Sequence, residues 1–104
     1  MGRYSRVPGT EAFTKRAALT YARGVGCIVV DTATNRRTAR AGIPDAFITH
    51  RSAAGRWLAV DFKSPSGRAS PEQQALVDAG ALDIVDSVGA IVAAIKNHFP
   101  GITK

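Results

Sequence analysis

One cysteine, Cys27, is too few for an internal disulfide, and it has no partners at zinc-ligand spacing, so a disulfide framework and a structural zinc site are both excluded. It lies in the apolar run Cys27-Ile28-Val29-Val30, where a small buried side chain is expected. Histidine is scarce too. His50 and His98 have no companion at metal spacing, and both read as surface residues. No apolar run approaches the roughly 20 residues needed to cross a bilayer, and Met1-Gly2-Arg3-Tyr4 does not open a signal-type segment, so a soluble, cytoplasmic protein with no membrane partner is expected. There are no repeats and no low-complexity tract. Negative charge is also in short supply: 8 acidic residues face 14 basic ones, for a net charge of +6 and a pI near 10.3. That imbalance favours a polyanionic partner, although many small basic proteins are only soluble.

What is present is enough for one domain. A chain of 104 residues, 45% hydrophobic, builds a single two-layer core and no second module. Residues 1–9 are polar, basic and broken by Pro8-Gly9, which reads as a flexible arm before a single domain over 10–104. Thr10 supplies an N-cap, and Phe13, Ala17, Tyr21 and Gly24 recur at helical spacing, predicting a helix over 10–23. Lys15, Arg16 and Arg23 lie off that stripe, where they face either a phosphate backbone or plain solvent. A strand over 27–32 leads into a basic loop with Arg36, Arg37 and Arg40, three arginines in five positions. A hairpin follows, 45–50 and 56–63 around a turn at Ser52 to Gly55. Ser70-Pro71-Glu72-Gln73 is a capping box opening a helix that runs to Gly80, then comes a strand over 82–85, a cap at Ser87 and a helix over 88–97 with Ile91, Val92 and Ile95 apolar. The chain is thus α/β with the order α-β-β-β-α-β-α.

Three residues stand apart from what a fold requires. Pro44 fixes its own φ and lacks an N–H, so it belongs at a strand start or edge and delivers Asp45 to the mouth of the sheet. Strand alternation puts Trp57, Ala59, Asp61 and Lys63 on one face and Leu58, Val60 and Phe62 on the other. Two carboxylates and an amine at the ends of neighbouring strands suit a hard divalent cation, Mg²⁺ or Mn²⁺, with a base beside it. This is the minimum equipment for hydrolysing a phosphodiester: Asp45 and Asp61 as ligands, Lys63 to position or deprotonate the attacking water.

The run Gly42-Ile43-Pro44-Asp45, then Asp61-Phe62-Lys63, then Gly67 and Ser70-Pro71-Glu72-Gln73 resembles the VRR-NUC family of the PD-(D/E)XK nucleases, in the stand-alone form common in phage-type genomes. The likeness covers about residues 10–96, with Asp61 where Glu is more usual and a short first helix. It implies a restriction-endonuclease-like core with a central mixed β-sheet flanked by helices, and a Mg²⁺-dependent DNA endonuclease acting on branched or junction DNA as a homodimer, with no organic cofactor. It implies further that Glu11 is another metal-site carboxylate, that the Phe62 backbone carbonyl joins Asp45 and Asp61 on the metal, and that Gln73 sits beside the site. Arg36, Arg37, Arg40, Lys15, Arg16 and Arg68 are the expected DNA contacts. Glu11 and Gln73 also have structural explanations, the helix dipole and the capping box. Two other readings stay open, a non-catalytic nucleic-acid- or protein-binding domain that keeps the fold, and a small basic interaction protein.

Overall fold

Thr10 opens the first helix as expected, its Oγ1 accepting from the Phe13 N–H at 3.1 Å, and α1 runs over Glu11–Gly24. The computed structural model describes residues 10–32, 43–53, 55–64 and 66–102. The basic arm 1–9 and the arginines Arg36, Arg37 and Arg40 lie outside the described residues.

The strands are β1 Ile28–Asp31, β2 Ala46–Thr49, β3 Leu58–Phe62 and β4 Asp83–Val85. The remaining helices are α2 Pro71–Asp78 and α3 Val88–His98. The element order α-β-β-β-α-β-α is the one expected from the sequence. Each strand is one to three residues shorter than the sequence suggested, since fraying and twist end hydrogen bonding before the β-type sequence ends.

The four strands form one mixed sheet in the order β1-β2-β3-β4, flanked by helices. The first two pairings are antiparallel, β2 and β3 forming a hairpin, and β4 returns parallel to β3 after the α2 crossover. Gly55, at φ 78, sits in the left-handed region that the hairpin turn uses and that a side chain disfavours.

One face of the sheet carries the core. Ile48, Leu58, Val60, Phe62 and Val85 pack with Ile91 and Ile95 of α3, with Phe99 just beyond it, and with Ala18 and Ala22 of α1. Burying a side chain of the Leu, Ile or Phe class contributes about 1.5–3 kcal/mol. Leu58, Val60 and Phe62 alternate with Ala59 and Asp61, so the burial that orients one set also aims Asp61 at the opposite face.

The buried stripe of α1 differs from the expected one. Thr14, Ala18, Leu19 and Ala22 face the core, while Phe13, Ala17 and Tyr21 are only half-buried. Small residues let α1 approach α3 and the sheet closely, and Ala and Thr carry a weaker hydrophobic signal in the sequence than the aromatics of the adjacent stripe. Along α3 the buried set is likewise Ile91, Ala94 and Ile95, with Val92 half-buried. Cys27 is buried as expected. His50 and His98 are half-buried rather than fully on the surface; the His50 Nδ1 accepts from the Ser52 N–H, and the His98 Nδ1 lies 3.1 Å from the Ala94 carbonyl. Among the described residues no helix is long and apolar enough to cross a membrane.

Candidate active site

Antiparallel pairing sets Ala46 opposite Val60, so the start of β2 and the end of β3 share one end of the sheet. Asp45 precedes Ala46 and Asp61 follows Val60, and the two carboxylates meet there. The Asp45 Oδ2 accepts the Phe62 N–H at 3.0 Å, which stretches its side chain across the end of β3. Thr32 holds this corner from the β1 side: its N–H donates to the Asp45 carbonyl at 3.0 Å, and its hydroxyl reaches the carbonyls of Pro44 and Asp45. Thr32 was not singled out from the sequence, where it is simply the polar end of a β-branched run.

Asp61 is 3% exposed, one of two polar side chains, with Thr14, buried to that degree among the described residues. Its Oδ2 is addressed twice. The Lys63 ammonium lies 3.3 Å away, two residues along the same face, and the Gln73 amide donates to the same oxygen. Burial pushes the Asp61 carboxyl up to about 6, the neighbouring Asp45 carboxylate adds to the rise, and Lys63 opposes it. Two acidic groups held this close in a dry corner repel each other unless a proton or a cation lies between them.

Gln73 joins the two explanations that its sequence position left open. Its side-chain carbonyl accepts the Ser70 N–H at 2.9 Å while the Ser70 Oγ accepts the Gln73 N–H at 3.2 Å, closing the capping box. The free end of the same amide then reaches Asp61. No residue of α2 is fully buried, so this box and this bond are what aim the helix at the site. Replacing Gln73 with Ala is therefore expected to cost about 1 kcal/mol of stability, as the loss of a cap does. Thermal melts of the variant beside wild type check it.

Glu11 is exposed in the first turn of α1, and among the described residues no three His, Cys, Asp or Glu side chains gather into a metal-holding group. The structure therefore brings Asp45, Asp61, Lys63 and Gln73 together and leaves Glu11 apart, in the place that the helix dipole explains. Glu11→Gln is expected to lose a few tenths of a kcal/mol, up to about 1, as read from a thermal melt. Arg68 is exposed in the loop before α2, Arg16 is exposed on α1, and Lys15 is half-buried there.

The donor set fits a hard divalent cation. Mg²⁺ takes one or two carboxylates and keeps several waters, which matches a pair of acidic side chains better than a closed protein cage. Phe62 adds a main-chain carbonyl at the same strand end, although its side chain belongs to the core. Fold and corner together define an α/β domain with two carboxylates and a lysine gathered at one end of a mixed sheet. Comparison with models of known families, with curated proteins and with solved structures finds no match.

Proposed function

We propose that the chain is a Mg²⁺-dependent endonuclease that hydrolyses phosphodiester bonds in DNA, built on a nuclease core of the VRR-NUC type. The observation that carries this reading is the meeting of Asp45 and Asp61 at one strand end with Lys63 3.3 Å from Asp61. The pair is electrostatically unfavourable as it stands, and a bound cation would relieve it. A divalent cation in such a site supplies charge neutralisation at the scissile phosphate and an acidified water. Asp45 and Asp61 would hold it, with the Phe62 carbonyl as a further oxygen. Gln73 keeps the Asp61 carboxylate in one orientation, and Lys63, on the same face, positions the attacking water and would accept its proton only after the ammonium has shed its own to solvent. The net charge of +6 suits a polyanionic substrate.

Branched or junction DNA as the preferred substrate, a homodimer as the working form and an intracellular location belong to the same proposal and rest on the family resemblance. Incubation of the protein with labelled linear, flap and four-way-junction DNA, with and without Mg²⁺ or Mn²⁺, tests it. Cleavage that requires the metal and vanishes in chelator is the expected result. Binding without cleavage under every metal condition would favour a non-catalytic domain that keeps this fold.

A further inference from the structure

Asp45 lies one residue ahead of β2, so the ladder that fixes Ala46 does not by itself fix the peptide groups on either side of the Asp45 Cα. Thr32, one residue past the end of β1, reaches both of them. Its N–H donates to the Asp45 carbonyl at 3.0 Å, which carries the Asp31 to Ala46 pairing one step further. Its hydroxyl lies 2.5 Å from the Pro44 carbonyl and 2.9 Å from the Asp45 carbonyl, within hydrogen-bond reach of each. Those two carbonyls belong to the peptide groups that flank the Asp45 Cα. Because each peptide group is planar, holding both restricts φ and ψ at Asp45, and with them the direction in which its Cα–Cβ bond leaves the backbone. Pro44 stiffens the same corner, since its ring fixes its own φ. At the tip of the side chain, the Phe62 N–H holds Oδ2 at 3.0 Å. The carboxylate that meets Asp61 is thus fixed at its root and at its end.

We infer that Thr32 is a positioning residue for the cation site, its hydroxyl holding the backbone of Asp45 so that the carboxylate stays turned towards Asp61. The inference rests on the reading of Asp45 and Asp61 as ligands of a hard divalent cation. A strand end asks for less than Thr32 supplies. The N–H alone continues the ladder, and a valine there suits a β-strand as well as a threonine does. The hydroxyl adds a grip on the peptide before Asp45, which the ladder does not reach. That grip matters most for Mg²⁺, which demands near-octahedral ligands at about 2.0–2.1 Å, whereas Ca²⁺ accepts looser arrangements at about 2.3–2.6 Å. A residue that only staples the end of β1 has no reason to distinguish the two ions.

The test is calorimetric titration of Mg²⁺ and of Ca²⁺ into Thr32→Val, which keeps the β-branched shape and removes the hydroxyl. Groups that orient metal ligands are typically worth about 10–100-fold in affinity, so Mg²⁺ binding should weaken about tenfold and Ca²⁺ binding by clearly less. Thr32→Ser keeps the hydroxyl and should recover most of the Mg²⁺ affinity. Hydrogen exchange at the Phe62 amide gives a readout that needs no metal. It should be faster in Thr32→Val, because the carboxylate that accepts this N–H is held less firmly, while amides within the β2–β3 ladder keep their protection. Circular dichroism and a thermal melt of each variant confirm the fold, and Thr32→Ala replaces Thr32→Val should the valine not be accommodated. Unchanged Mg²⁺ affinity in Thr32→Val, beside wild-type protein that binds Mg²⁺, overturns the positioning role and leaves the metal site standing. Equal losses for Mg²⁺ and Ca²⁺ with an unchanged Phe62 amide overturn it as well and leave Thr32 a strand-end staple. Absence of Mg²⁺ and Mn²⁺ binding by the wild type overturns the metal reading and the inference together.

Discussion

Asp61→Asn is expected to abolish cleavage and at the same time to stabilise the folded protein above about pH 6. The two effects come from one cause. Burial and the adjacent Asp45 raise the Asp61 carboxyl from its ordinary 3.8 to about 6, so folding above that pH confines a charge in a place that disfavours it. Between about 4 and 6 the folded state retains a proton that the unfolded chain has already released, so stability is greatest below the unfolded value and falls as pH rises through the folded one. The rise, in which the opposing pull of Lys63 is already included, corresponds to no more than about 3 kcal/mol. Asparagine keeps the shape and can still meet Gln73, but carries no charge. Each kcal/mol gained moves the melting temperature of a domain of this size by about 4–8 °C. Melting curves of both proteins should therefore coincide near pH 4 and diverge towards pH 8, with the variant higher. A variant less stable than wild type at pH 8 would show that the Asp61 charge holds the fold together and does not oppose it.

Asp45→Ala and Lys63→Ala should each reduce turnover by about 10²–10⁴ while leaving DNA affinity in Ca²⁺ within a few-fold of wild type. Neither side chain grips the polymer. Asp45 reaches across the end of β3 to the Phe62 N–H and faces Asp61, and Lys63 lies against Asp61 with about a fifth of its side chain exposed. Lys63→Arg should be as poor as Lys63→Ala, because a guanidinium keeps its proton and cannot serve as a base. Near-full turnover in any of the three removes that residue from the proposed chemistry.

The sequence alone settled much that is local. The cap at Thr10, the Ser70 to Gln73 box with Pro71 inside it, the hairpin closed by Gly55 and the alternation that sends Asp61 away from Val60 and Phe62 each depend on residues a few positions apart. Backbone geometry fixes such features before any tertiary contact forms. The buried face of α1 was missed by one position, because the helix packs through Thr14, Ala18 and Ala22, whose value lies in letting the backbone come close. What only the tertiary structure decided involves partners far apart in the chain. The parallel return of β4 beside β3, the hold of Thr32 on Asp45, the reach of Gln73 to Asp61 and the Lys15 to Asp31 tie all join residues separated by 12 or more positions. No periodicity encodes them. The raised Asp61 carboxyl belongs with these, because it depends on how much water the assembled core and the α2 helix exclude and on how near Asp45 is brought, and both are properties of the packed protein rather than of the chain.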